Sequence, residues 1–418
     1  MSSERILIIS LGHPDFSKGG SEIAAYHFYE EMNKRGLDTY FLAAHNYPNI
    51  HRKENRSSYL SEKEILFYTQ MNNFFLFQTD DWYAVWHDFK NLLNHIKPTI
   101  VQFHHFLHLG IEMIRETKNY AIDNNVDVKI VLTFHEYALI CANNGQMIKT
   151  GSNELCSRYN PIACSVCFPD KGPADFLLRE LFFKSIIDVV DIFVCPSHFL
   201  MERYINWGVD QQKIVMIDNG QEAVEKLPKR KLVDGERRCR FTYIGQINPF
   251  KGLDVLLNAL DYLDENMLQQ VQIHVYGSGL SNQTDPYRKT IKKLCKTYKK
   301  NVRMFGRYQN EDLPEILQET DWVVMPSIWW ENSPLVIQES LKYGRPLLVS
   351  NIGGMAEKVT DGKNGLHFPK NNPAALARVI KQAMNDRGLY DTLYQNIETP
   401  LTIQESTMQY LNLYGIKT

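Results

Sequence analysis

The sequence predicts an α/β protein of two Rossmann-like, doubly wound domains in tandem. Short apolar runs alternate with segments of helical periodicity, the pattern that parallel strands and their crossover helices impose. The alternation comes in two series, divided by a stretch at 220–238 where it lapses. The 418 residues also exceed the roughly 250–300 at which a single core stops growing.

The first series opens at Arg5-Ile6-Leu7-Ile8-Ile9-Ser10, an uninterrupted apolar run bounded by Gly12 and Pro14, as a strand buried on both faces requires. Ile23, Tyr26 and Met32 give residues 21–35 helical spacing, and Gly36 stops that helix. Strands are expected at 39–43, 99–103, 129–134, 191–195 and 213–217, with a helix at 82–96 ended by Pro98. Segments 120–125 and 146–172 have weaker periodicity and read as an insertion and loops.

Six basic residues (Lys226, Lys229, Arg230, Lys231, Arg237 and Arg238) crowd the stretch at 220–238, which reads as a solvated linker. Contact with anionic lipid headgroups is the alternative reading of its charge. The second series has strands at 240–244, 271–276, 302–305, 322–325 and 347–350. Its helices fall at 253–262, 286–299, 313–319, 335–343 and 374–384. The expected division is therefore a first domain at 1–219, a linker at 220–238, a second domain at 239–395, and a helical segment at 396–418 packing back toward the first domain. Open sheets of this kind bind ligands beyond the C-terminal ends of their strands, so the two are expected to face a central cleft.

Composition narrows the function. Hydrophobic residues make up 44% and charged residues 22%, as in ordinary globular proteins. A net charge of −2 provides no basic excess for a nucleic-acid backbone. No apolar run approaches the roughly 18 residues of a membrane span, and the start of the chain lacks a signal-peptide pattern, so the expectation is a cytoplasmic protein. The aromatic stretch Phe74-Phe75-Leu76-Phe77, with Trp82 and Trp86, suits either core packing or peripheral contact with the cytosolic membrane face.

The chemistry concentrates in the segment from Met325 to Glu339, which includes Glu331-Asn332-Ser333-Pro334-Leu335. Glu331 falls in the loop after a buried strand and Glu339 in the helix beginning near Pro334. Carboxylates accept hydrogen bonds from vicinal hydroxyls, so one suits a sugar ring and the other a ribose. Lys251 lies just before a helix start, where a cation and backbone amides can hold a diphosphate. Gly19 and Gly20 follow the first strand, and His135 ends the strand that finishes at Phe134.

This segment resembles the retaining glycosyltransferases of family 4, which have the GT-B fold. Tyr243-Ile244-Gly245-Gln246-Ile247-Asn248-Pro249-Phe250-Lys251-Gly252 and Gly19-Gly20-Ser21-Glu22 share in the resemblance. It spans nearly the whole chain and is strongest from Phe241 to Pro369. It implies an acceptor-side first domain and a nucleotide-sugar-binding second domain. The implied reaction moves a hexose or hexosamine from a UDP- or GDP-sugar to a hydroxyl of a glycan or lipid-linked glycan. In these roles Lys251 neutralises the leaving diphosphate, Glu331 holds the donor sugar, Glu339 holds the ribose and His135 touches the sugar. Gly277, Gly279, Arg307, Asn332, Ser333, Pro334 and Leu335 line the donor pocket. Gln246 departs from the pattern, because the family usually carries an arginine there; glutamine donates a hydrogen bond without charge. No Asp-x-Asp sequence occurs, which favours chemistry that requires no metal cofactor.

Cys141, Cys156, Cys164 and Cys167 fall in one segment, and Cys164-Ser165-Val166-Cys167 has the pair spacing of tetrahedral metal sites. A structural zinc and a set of reduced thiols are the two readings. Competing functions are a sugar-nucleotide epimerase of the same fold and a nucleotide-sugar-binding protein without catalysis. An oxidoreductase is disfavoured, since neither domain has Gly-x-Gly-x-x-Gly between its first strand and helix.

Overall fold

The computed structural model describes residues 4–17, 19–45 and 56–416. Met1–Ser3, part of the amino-terminal segment read above, lie outside them. The chain divides into two compact units, one of residues 1–220 with 401–418 and the other of residues 221–400.

The first unit holds strands β1 (Arg5–Ser10), β2 (Asp38–His45), β3 (Ser57–Tyr59), β4 (Glu64–Tyr68), β5 (Met71–Asn73), β6 (Gln78–Thr79), β7 (Ile100–Phe103), β8 (Lys129–Thr133), β9 (Ile192–Cys195) and β10 (Ile214–Met216). Eight of them form one sheet in the order β10-β9-β8-β7-β1-β2-β4-β3. All its pairs are parallel except β3 with β4, an edge hairpin that the sequence reading missed. β3, Ser-Ser-Tyr at the sheet edge, carries little apolar signal, and β4 buries only Ile65, Leu66 and Phe67. The strand order reverses between β1 and β7, which defines a topological switch point there.

Helix Glu112–Asn124, closed by Asn125 in the left-handed conformation, accounts for the segment at 120–125 that was expected to be an insertion. Met113, Ile114, Thr117, Tyr120 and Ala121 bury one face of it. Helix Pro161–Cys167 likewise interrupts the expected loop region, with Asn160 capping it by accepting from the Ala163 amide. The returning helix Ile403–Tyr414 belongs to this unit, and Tyr410, Leu411 and Tyr414 join its core beside Ile8, Phe28 and Val131.

The second unit holds β11 (Arg240–Ile244), β12 (Gln272–Tyr276), β13 (Val302–Gly306), β14 (Trp322–Met325), β15 (Leu347–Ser350) and β16 (Gly365–Phe368). They form one parallel sheet in the order β13-β12-β11-β14-β15-β16, which reverses between β11 and β14. The basic stretch after Gly220 is not a solvated run, because most of its cations have partners within this unit. Lys226 Nζ donates to the Tyr394 carbonyl at 2.6 Å, and Lys229 pairs with Asp391 at 2.8 Å. Arg230 and Arg238 both grip the fully buried Asp321, at 2.8 and 3.0 Å. A buried carboxylate needs such partners, and removing either arginine leaves it poorly compensated.

Candidate functional site

The second unit builds its site at the switch point, from the loops that follow β11 and β14. After Gly245, the Asn248 side chain accepts from the Phe250 and Lys251 amides at 3.0 and 3.1 Å, fixing a short turn. Gly252 then adopts φ 69°, and a Cβ there would lie 2.0 Å from the Pro326 carbonyl oxygen. Glycine therefore allows the two loops to touch, and Ile328 N–H donates to the Phe250 carbonyl at 2.8 Å.

That close approach brings Lys251 Nζ to 2.7 Å from Glu331 Oε1. The same oxygen accepts from the Ser327 hydroxyl at 2.9 Å and from the Trp329 indole N–H at 2.7 Å. Trp329 stacks on Phe250 with ring centroids 5.6 Å apart, and Lys251 Nζ sits 5.2 Å from the Trp329 ring centre. Charge-assisted bonds of this kind are strong, so the carboxylate is held in one orientation. Behind it, the Gly354 amide donates to the Glu331 carbonyl at 2.7 Å.

Around this centre the expected donor-side residues take different positions. The loops after β11, β12 and β13 are laced together: Gly245 N–H donates to Tyr276 O, Ile247 N–H to Ser278 O and Gly277 N–H to Gly306 O. A Cβ on Gly277 would strike the Gly245 carbonyl at 1.8 Å, which explains glycine there; Gly279 begins the next turn with φ 104°. Gln246 and Arg307 are exposed on these loops. Ser333 Oγ accepts from Gln338, and Pro334 precedes helix Leu335–Lys342. Glu339 has protein packed around its carboxyl while keeping part of its surface open to solvent. Burial pushes its pKa up to about 7, with Lys342 opposing the rise. Burial, and after it the Glu339 carboxylate, raises the neighbouring Tyr308 phenol.

The first unit gathers a second cluster where β7 and β8 end. His104 and His105 prolong β7 by donating their amides to the Ile9 carbonyl at 2.8 and 3.3 Å. His104 Nδ1 lies 3.2 Å from His135 Nε2, and His105 Nε2 lies 3.6 Å from Glu136 Oε1. Burial lowers the pKa of His135 to about 4, and burial with its histidine neighbours lowers that of His105 to about 3. Burial raises Glu136 to about 8, against the pull of the Ala138 amide and Arg179. Burial thus favours the neutral forms of these groups, although the Glu136 side chain keeps part of its surface open to solvent.

Arg179, which the sequence reading did not single out, supports this turn from below. Its fully buried guanidinium donates to the carbonyls of Phe75, Leu139 and Ala138 at 2.8, 2.7 and 2.6 Å. It also lies 4.4 Å over the Phe183 ring. No motif reveals it, because an arginine that caps carbonyls looks like a surface arginine in sequence.

At Gly19-Gly20 the structure supplies an acceptor from the chain itself. Glu22 is buried, and its carboxylate accepts from Ser17 and Ser21 at 2.8 and 2.6 Å. A Cβ on Gly19 would lie 2.3 Å from that carboxylate, so the glycine makes room for Glu22.

The seven cysteines stand outside any disulfide. Among the described residues, no group of three or more His, Cys, Asp or Glu side chains could hold a metal ion. Of the two readings of Cys141, Cys156, Cys164 and Cys167, structural zinc and reduced thiols, the first has no such ligand group to support it; Cys156 Sγ donates to the Arg158 carbonyl at 3.2 Å. The stretch at 74–77 also divides: Phe77 is buried against Phe183 while Phe74 is exposed. Among the described residues, no helix is long and apolar enough to cross a membrane.

Two parallel sheets of this order, the second carrying a lysine–carboxylate pair at its switch point, define a GT-B protein. Residues 18–222 match the family described as Glycosyltransferase Family 4, and residues 225–399 match Glycosyl transferases group 1. The chain belongs to this family of GT-B glycosyltransferases. An uncharacterized glycosyltransferase of Methanocaldococcus jannaschii is 24% identical over 318 residues, 74% of this chain and 80% of the relative. A D-inositol 3-phosphate glycosyltransferase of Salinispora arenicola is 27% identical over 192 residues, 45% of this chain and 43% of the relative. Among solved structures, a sucrose-phosphate synthase of Thermosynechococcus elongatus has a TM-score of 0.70 at 18% identity, covering 99% of this chain and 98% of that one. HepE of Anabaena in complex with UDP has a TM-score of 0.68 at 14% identity, covering 99% of each chain.

Proposed function

We propose that this protein transfers a hexose or hexosamine from a nucleoside-diphosphate sugar to a hydroxyl of a glycan or lipid-linked glycan, with retention at the anomeric carbon. The observation that carries this reading is the contact between Lys251 and Glu331 at the switch point. A diphosphate entering there brings negative charge that draws on Lys251. Glu331 is then freed from part of its ion pair and accepts from a sugar hydroxyl, while Ser327 and Trp329 keep it aimed.

As the bond to the sugar breaks, charge grows on the departing diphosphate. A preorganised cation opposite that charge lowers the barrier, because it acts most strongly in the transition state. Glu339 suits the ribose, since an ionised carboxylate accepts from both vicinal hydroxyls. His135 is the sugar-contacting group of the first unit. The UDP complexes of the Anabaena protein favour a UDP-sugar as donor over a GDP-sugar. The lack of Asp-x-Asp in the sequence supports transfer without a bridging metal.

The test is transfer from a panel of UDP- and GDP-sugars by the wild type and Glu331→Ala. Turnover should fall by about 10²-fold or more in the variant, as when one preorganised stabilising group is lost. Wild-type rates in Glu331→Ala would overturn the assignment. Conversion of the donor with no acceptor present would instead favour an epimerase. Nucleotide binding without any transfer would favour a binding protein, a reading consistent with the uncharged, exposed Gln246.

A further inference from the structure

We infer that His104 is a positioning residue for His135, and that a small cavity behind it holds a water molecule that completes the pair. The kinetic consequence rests on the proposed contact between His135 and the sugar; the structural one does not. The two rings face each other nearly in parallel, at 21° with centroids 5.4 Å apart, and meet through His104 Nδ1 and His135 Nε2 at 3.2 Å. Burial disfavours the charged form of both rings, so each carries one N–H and one bare nitrogen. A hydrogen bond between them needs one of each, which ties the tautomer of His135 to that of His104.

The far end of His104 is where a further partner of the pair can sit. His104 is held between Phe28, 5.6 Å away between ring centres, and Tyr410, 6.3 Å away. Its Nε2 is buried with no hydrogen-bond partner among the described residues, and so is the hydroxyl of Thr407. Both residues line one cavity, together with Phe28, Asp218, Ser406 and Tyr410. Its volume of about 20 Å³ suffices for one water, and a buried water needs two or more polar partners. His104 Nε2 and the Thr407 hydroxyl are two such partners, each of which would otherwise bear the cost of an unmade bond. A water that donates to Nε2 places the His104 proton on Nδ1, from where it is donated to His135 Nε2. His135 then keeps its own proton on Nδ1.

The test uses the full-length protein with ¹⁵N-labelled histidine, whose protonated and bare ring nitrogens separate clearly in ¹⁵N–¹H spectra. His104→Gln places an amide toward the cavity and withdraws from His135; His104→Asn keeps a polar group where Nδ1 stands. The balance of His135 tautomers should differ between the wild type and His104→Gln and return to the wild-type balance in His104→Asn. Thr407→Val should alter the His104 nitrogen signals by removing a partner of the water. In transfer assays kcat should fall about tenfold in His104→Gln, recover in His104→Asn, and leave the donor KM within about twofold. An unchanged His135 tautomer in His104→Gln, in a variant that melts cooperatively like the wild type, would overturn the inference. A tautomer shift with undiminished transfer would uphold it and remove His135 from the reaction instead.

Discussion

Glu331 shows how much of a site can hang on a single oxygen. Its Oε1 accepts from Lys251, Ser327 and Trp329. The sequence names Lys251 and Glu331 through their motifs, whereas Ser327 and Trp329 gain a purpose only from the distances. Trp329→Phe keeps the stack on Phe250 and deletes the indole N–H. A hydrogen bond to a charged group contributes about 1.5–3 kcal/mol, so we expect kcat to drop roughly 10- to 100-fold with little change in melting temperature. Glu339 gives a prediction in pH. Its folded pKa of about 7 lies above the ordinary 4.5, so the native state holds the proton more tightly than the unfolded chain does. Its contribution to stability therefore declines as pH rises from about 4.5 to 7, as the unfolded carboxyl ionises first. The proposed contact with the ribose needs the ionised form, so nucleotide affinity measured by calorimetry should strengthen as pH rises through 7. Glu339→Gln should bind more weakly at pH 8 and flatten that dependence; an unaltered pH profile in the variant would remove Glu339 from the ribose.

At the scale of elements, the site exists because loops meet backbone to backbone. A Cβ at residue 354 would fall 1.6 Å from the Asn332 carbonyl oxygen and 2.8 Å from that of Glu331. Neither neighbour is a flexible side-chain end that can move aside cheaply. Gly354→Ala should cost about 3 kcal/mol in urea denaturation and displace the 331–332 turn, weakening nucleotide binding as well. An alanine variant of wild-type stability and affinity would show that the turn is not under this constraint. In sequence, Gly353-Gly354 is indistinguishable from an ordinary turn. The buried strands were legible because parallel strands covered on both faces are continuously apolar, as in Trp322–Met325 and Leu347–Ser350. The edge strand β3, its partner β4 and the last strand β16 escaped, being short or mixed in polarity.

For the molecule as a whole, the notable feature is a chain that leaves its first unit at Gly220 and rejoins it at Leu401. Tyr414 donates its hydroxyl to Gln102 at 2.9 Å, the Gln102 amide donates to Thr133 at 2.6 Å, and Tyr410 meets Thr133 at 3.3 Å. Lys129 Nζ donates to the Tyr414 carbonyl at 2.7 Å. Burial of Tyr410, Leu411 and Tyr414 at about 2 kcal/mol each sums to about 6 kcal/mol. That is comparable with the whole stability of a domain, about 5–15 kcal/mol. Deleting residues 401–418 should therefore unfold the first unit while the second melts near its original temperature. Calorimetry would register the loss of one transition, and two intact transitions would contradict it.

The sequence by itself determined the paired parallel sheets, because hydrophobic periodicity is a property of neighbouring residues, and through the resemblance its motifs carry it singled out Lys251, Glu331, Glu339 and His135 as candidates. Only the tertiary structure decided that Lys251 closes on Glu331, that Arg179 underlies the Glu136 turn, that Glu22 fills the space beside Gly19, and that His104 touches His135. Each of these joins segments that are remote in sequence or turns on side-chain direction. A linear pattern records which residues are present, but burial, orientation and distance, which set their chemistry, arise when the strands are laid side by side.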